Sequence, residues 1–383
     1  MSNLQSKIQR YPLLPYSQLV WGMMRWMPGV YRFSAVLRWK GGTKEMEHIE
    51  NAIRLALANH PVFSTRVDSV GLHFASERKD VLHGQYHNIN ISVAEEDLLI
   101  KVELNRILGD GVSMLILCED VERAYRGLPL EPDDYWGYVA RYEQQKAETH
   151  YTISHDWLMN EFADDSIPVR PTIDRRWLAT LLPPKAGLYE DDYTALHEKI
   201  ESLKEEQFIS YEGIFSLAAS LAIADYCGTE SAALTWAYEG RETKEEQRIF
   251  GSLHRDIPFR IRKSKIENRE SAIRFARNQI RSGIAHSDYP YTLTAPYNKR
   301  WNYAVNVLRV ESPKDMQNKT LLPVEIVSVP RQKFSYALLD VEIHEKEESL
   351  QLIYRYSSTH YKPESIRKFA DIVRKYVLWL IND

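Results

Sequence analysis

The sequence predicts an α/β protein built as two lobes of similar size. Three observations lead there. Helical and strand periodicities alternate through both halves of the chain. An irregular stretch at residues 154–184, carrying four prolines, reads as a linker between the halves. The length, 383 residues, suits two or three domains' worth of sequence. On this reading residues 1–175 form an N-terminal lobe and residues 176–383 a C-terminal lobe.

Residues 43–60 read as a helix, because Met46, Ile49, Ile53 and Leu57 recur at helical spacing and Thr43 can cap the start. Residues 98–107 read as a strand. Ile100, Val102 and Leu104 alternate with Lys101, Glu103 and Asn105, so one face is buried. Arg106 shares the parity of Leu104 and points the same way if the strand continues. Helical periodicity returns over 111–126, through Leu115, Val121 and Tyr125, with Asp110 where an N-cap belongs. The second half opens with helical patterns at 193–206 and 211–226. Strand-like runs follow at 233–238, 257–261, 301–310, 322–327, 336–343 and 350–356. Pro363 opens a last helix with Ile366, Phe369, Val373 and Val377 on one face.

Composition narrows the function classes. The chain is 44% hydrophobic and 27% charged, an ordinary globular balance. A formal net charge of -4 offers no basic field for nucleic acid. Two cysteines, Cys118 and Cys227, make neither a disulfide framework nor a cysteine zinc site, and both read as reduced, packed thiols. No targeting segment opens the chain, and the longest apolar run, 214–226, is too short for a bilayer and carries Asp225. The expectation is a soluble, cytoplasmic protein with no membrane partner. His83 and His87 have metal-like spacing but no evident third ligand, and read as a surface turn. No nucleophile elbow, phosphate loop or dinucleotide fingerprint is present, so no cofactor is implied.

The stretch Asn105-Arg106-Ile107-Leu108-Gly109-Asp110-Gly111 carries the functional signal. Its ending, and the order of six further motifs, resemble the condensation domains of nonribosomal peptide synthetases, in the chloramphenicol-acetyltransferase-like superfamily. Pro15-Tyr16-Ser17-Gln18-Leu19-Val20-Trp21 resembles the family's opening motif, and Asn59-His60-Pro61-Val62-Phe63-Ser64-Thr65-Arg66-Val67 its arginine-histidine segment. Asn105 to Gly111 falls where the family has HHxxxDG, and Ser113 matches the serine that often follows. Asp133-Asp134-Tyr135-Trp136-Gly137-Tyr138 is similar to the next motif, and Tyr238-Glu239-Gly240-Arg241 to the family's Gly-Arg turn. Phe250-Gly251-Ser252-Leu253-His254-Arg255-Asp256-Ile257-Pro258-Phe259-Arg260 resembles G-x-F-V-N-T-L-P-L-R, and His286-Ser287-Asp288-Tyr289-Pro290-Tyr291 resembles H-Q-D-x-P-F.

The resemblance implies two lobes in a V around a tunnel, with carrier-borne phosphopantetheine arms entering from opposite faces. It makes Asn105, Arg106, Asp110 and Gly111 the candidate catalytic positions. It implies that Asp110 pairs with Arg260, with Ser113 in support, and that Arg255 and Asp256 line the tunnel. His286 takes a packing role.

The departure is Arg106, at the position of the family's second histidine. Acyl transfer needs a deprotonated nucleophile and a stabilised tetrahedral intermediate. A guanidinium has donors and no acceptor, and cannot be a general base near neutral pH. Losing a positioned base costs about 10²–10⁴ in rate. A buried arginine also needs a counter-charge; Asp256 or a nearby carboxylate is the expected partner, which would plug the tunnel. His254 is a candidate displaced base.

The leading expectation is therefore a stand-alone condensation-like protein that binds a carrier protein or a tailoring enzyme, similar to recruiting family members with arginine at this position. The alternative is a working acyltransferase taking acyl groups from carrier or coenzyme A thioesters to an amine or alcohol, with Arg106 in an electrostatic role. A third is a structural module with a vestigial tunnel.

Overall fold

The structure is a computed structural model that describes residues 10–25, 31–68, 73–76, 80–162, 166–174, 185–290, 305–310, 322–328, 338–346 and 349–382. It forms two compact units, one comprising residues 1–144, 239–254 and 312–331, the other 145–238, 255–311 and 332–383. The division differs from the expected boundary at residue 175: the chain passes between the units several times, which hydrophobic periodicity cannot register. Strands and helices are numbered along the whole chain.

The first unit holds β1 (Arg10–Pro12), α1 (Pro15–Met24), β2 (Arg32–Trp39), α2 (Met46–Asn59), β3 (Thr65–Val67), β4 (His73–Ser76), β5 (His87–Ala94), β6 (Asp97–Asn105), α3 (Gly111–Tyr125), α4 (Tyr135–Gln145) and β11 (Val324–Ser328). Its larger sheet runs β11-β2-β6-β5 and is antiparallel throughout. In β6, Leu98, Ile100 and Leu104 are buried while Lys101 faces solvent, as the alternation predicts. Helix α2 buries Ile49, Ala52, Ile53, Ala56 and Leu57 and packs on α3. Its cap position is Glu45 rather than Thr43, because residues 42–45 form a separate 3-10 turn. The Thr43 hydroxyl is spent on the Glu96 carbonyl, at 2.7 Å.

The second unit holds α5 (Thr149–Phe162), β7 (Ala186–Asp192), α6 (His197–Gln207), α7 (Tyr211–Cys227), β8 (Ser231–Tyr238), β9 (Arg255–Arg262), α8 (Arg269–Ala285), β10 (Val305–Arg309), β12 (Leu339–Lys346), β13 (Ser349–Ser357) and α9 (Pro363–Ile381). The sheet order is β7-β13-β12-β10-β8-β9, with β10 parallel to both β8 and β12 and the other pairs antiparallel. Helix α7 is apolar nearly all round and buried from Gly213 to Ala224, as a helix at the centre of a core should be. It packs on β8 and on α9, whose Ile366, Phe369, Val373 and Val377 form the buried stripe the spacing predicts.

The expected linker at 154–184 is part helix. Residues up to Phe162 belong to α5, which buries Ser154, Leu158 and Phe162. A further stretch of the linker, 175–184, lies outside the described residues, as do Tyr291 and the first residues of the strands expected at 301–310 and 336–343.

Candidate active site

Strand β6 ends at Asn105, so Arg106 lies in the turn beyond it rather than in the strand. The turn is pinned on both sides. The Asn105 amide N–H donates to the Tyr86 carbonyl at 2.8 Å and the Arg106 N–H to the Tyr31 carbonyl at 2.8 Å. The Ser252 hydroxyl donates to the Arg106 carbonyl. The Ser17 hydroxyl, on α1, donates to the Ile107 carbonyl at 3.1 Å. Asn105 is buried and turns its Oδ1 back to the Ile107 N–H at 2.9 Å, which makes it a turn former.

Asp110 ends the turn and starts α3. Its carboxylate accepts from the Ser113 N–H at 3.0 Å, and Ser113 Oγ in turn receives the Asp110 N–H at 3.1 Å, a reciprocal cap. Arg241 then closes on both carboxylate oxygens, Nη1 to Oδ2 at 2.9 Å and Nη2 to Oδ1 at 3.0 Å. The guanidinium also donates to the carbonyls of Glu239, Ile249 and Gly251 at 3.2, 3.1 and 3.1 Å. The Leu253 and His254 N–H groups complete Asp110 Oδ2 at 3.0 and 3.2 Å. Burial alone would raise the Asp110 carboxyl, but the Arg241 charge and the hydrogen bonds from Arg241 and Ser113 hold it below the usual carboxylate range.

The partner of Asp110 is thus Arg241 and not the expected Arg260. Arg260 lies in β9, in the other unit, and its Nη1 donates to the Glu161 carbonyl at 2.7 Å. Gly240, with φ of 68°, makes the turn that aims Arg241, a conformation costly for a residue with a Cβ. Space around the loop is equally exact: a Cβ on Gly109 would fall 2.8 Å from that of Ser113, and one on Gly251 would fall 2.3 Å from the Tyr135 ring.

Arg106 is set differently. It is half-buried, its guanidinium lies over the Phe33 ring at 4.8 Å from the centroid, and Nη1 is 3.5 Å from the Tyr16 hydroxyl. The His254 ring meets Tyr16 edge-on, with centroids 4.7 Å apart. Cation and aromatic faces suit one another, but the guanidinium brings only donors.

A third group lies close by. His60 is fully buried, with Nδ1 2.8 Å from Asp133 and Nε2 3.3 Å from Asp120. Asp133 also receives the Phe250 N–H at 3.1 Å, and Arg248 pairs with Asp120 at 2.6 Å. Burial opposes the charged imidazole, but the two carboxylates prevail and raise the His60 pKa. Sequence reasoning flagged His60 and Asp133 only as motif members. Nothing local marks them as partners 73 residues apart.

The other expected residues fall in the second unit. Arg255 and Asp256 begin β9, opposite Tyr238 and Ala237, and Arg255 Nη1 donates to the Ser287 hydroxyl at 2.6 Å. His286 stacks on Trp157 with centroids 4.8 Å apart and on His150 at 5.8 Å. In the first unit His87 is a buried strand residue bonded to the Val81 carbonyl, not part of a surface turn, while His83 bonds Asn88.

Comparison with known proteins bears on this arrangement. The chain is 21% identical over 337 residues to tyrocidine synthase 3 of Brevibacillus parabrevis, covering 85% of this chain and 5% of that protein, so it spans a small part of the relative's length. Two solved structures share the fold. The complex of the X-domain and OxyB from teicoplanin biosynthesis aligns at a TM-score of 0.77 with 16% identity, over 98% of this chain and 93% of that one. The condensation domain of the monacolin K polyketide synthase MokA aligns at 0.75 with 13% identity, over 98% of each. The family model of the condensation domain matches residues 89–383, a span that holds the Arg106–Asp110 loop and Arg241. The chain belongs to the condensation-domain family.

Proposed function

We propose that this chain is a condensation-like protein of peptide natural-product biosynthesis that binds a carrier protein or a tailoring enzyme without histidine-driven acyl transfer. The observation that carries the reading is Arg106, which stands where the family's second histidine belongs and packs on Phe33 beside Tyr16. It supplies no proton acceptor. The scaffold around it, Asp110 with Ser113 and Arg241, is complete, so the loop keeps its shape after losing its base. The teicoplanin neighbour, a domain solved in complex with OxyB, supports partner binding as a use of this fold.

A second reading draws on His254. Its ring borders Tyr16, which in turn borders Arg106. In an active transferase, an amine or alcohol would attack a carrier or coenzyme A thioester carbonyl and yield its proton to His254 or water. Arg106 would stabilise the oxyanion, and the thiolate would leave and take up a proton.

Mass spectrometry of acyl transfer separates the two. Acyl-carrier and acyl-coenzyme-A donors are offered with amine and alcohol acceptors, beside a binding assay with the same carriers. The proposal expects carrier or partner binding without turnover. Turnover that falls in Arg106→Ala and His254→Gln would replace it with the second reading.

A further inference from the structure

Away from the Asp110 loop, the second unit gathers three side chains of metal-binding type. His197 and Glu201 sit one turn apart on α6, at the i, i+4 spacing that puts both on one face. Glu345 reaches the same point from β12. One ligand atom from each lies within 4.8 Å of the others. Donors around a divalent transition metal lie about 2.0–2.2 Å from it, hence roughly 3–4 Å apart. Small rotations of these half-buried side chains bring them there.

The fourth group is the Tyr211 hydroxyl. It donates to Glu201 and lies 3.0 Å from His197 Nε2. The phenol donates its hydrogen to Glu201 and so orients that carboxylate instead of ligating. With its hydrogen spent on Glu201, the hydroxyl presents a lone pair to His197, which therefore carries its proton on Nε2. Loss of that proton from Nε2 frees it as a ligand.

Two cations now hold the carboxylates. Lys204 pairs with Glu201 at 2.8 Å, and Arg309 pairs with Glu345. Their side chains are 33% and 54% exposed, so both can swing into water. Once bound to metal an imidazole is neutral, and the two carboxylates then carry a charge that one divalent ion balances.

We propose that His197, Glu201 and Glu345 form a binding site for a divalent transition metal of the zinc type, which displaces Lys204 and Arg309 and ties α6 to β12. Histidine nitrogen with carboxylate oxygen selects zinc or cobalt over magnesium or calcium. The site is independent of the Arg106 reading.

The test is calorimetric titration of the full chain with zinc chloride, together with the visible absorption of bound cobalt. The expected result is one saturable equivalent, weakened tenfold or more in both His197→Gln and Glu345→Gln. Lys204→Met and Arg309→Met should bind more tightly than wild type, because each removes a competing cation. Absence of stoichiometric binding would overturn the proposal. So would binding that survives both ligand substitutions, or a cobalt spectrum that His197→Gln leaves unchanged.

Discussion

Arg106 and Asp110 lie four residues apart in one loop, and their surroundings are opposite in kind. Asp110 is buried and meets a bidentate arginine, a serine and two backbone amides, so every lone pair is used. Arg106 is half-buried against an aromatic face and a tyrosine hydroxyl. The first arrangement is a framework whose parts fail together. The second is a cation set on an aromatic face. The bonds that hold Asp110 do not involve the Arg106 side chain.

That contrast can be broken most severely at Arg241. Arg241→Met leaves the Asp110 carboxylate buried without its counter-charge, and should cost about 3–5 kcal/mol. A lowered unfolding midpoint in denaturant would register it. Ser113→Ala removes the hydroxyl that joins Asp110, Gly251 and Arg241. It should cost about 1–3 kcal/mol, the penalty of leaving buried groups unpaired. At the other pole, Arg106→Ala gives up the contact with Phe33, worth about 0.5–1 kcal/mol, and the long approach to Tyr16, and leaves the Asp110 framework whole. Equal losses at Arg106 and Arg241 would remove the distinction.

Acid and base sharpen the same comparison. Asp110 is depressed below its unfolded value of about 3.9. Its contribution is therefore present above that pH and lost as pH falls through the lower folded value. His60 is raised above its unfolded value of about 6.5. Its contribution is complete below pH ~6.5 and is lost as pH rises through the higher folded value. Unfolding free energy followed against pH should thus decline on the alkaline side, and His60→Gln should flatten that decline.

The sequence made some of this legible, for reasons particular residues explain. Strand β6 announces itself because Ile100 and Leu104 alternate with charges, and Asp110 because a short acceptor before an apolar helix has one good use. The resemblance points Asp110 to Arg260, and the structure pairs it with Arg241. Arg241 and Arg260 both stand in recognisable motifs, and the turn at Gly240 precedes the one that pairs. Helix α5 was hidden for a different reason. Its apolar residues are spread round the helix, with Ile153 exposed and Leu158 and Phe162 buried, and prolines follow it, so its burial depends on tertiary packing. The pair of carboxylates on His60 is likewise a product of folding, since Asp120 and Asp133 come from separate segments.

The central claim is that the Arg106 loop is an intact framework lacking only its base. The most direct test is acyl transfer by wild type beside the double substitution Asn105→His, Arg106→His, with carrier-bound acyl donors and product read by mass spectrometry. The account predicts no turnover by wild type, unchanged folding in the double variant, and transfer gained by that variant. Turnover by wild type that Arg106→Ala abolishes would contradict it, and would make the guanidinium itself part of the catalytic machinery.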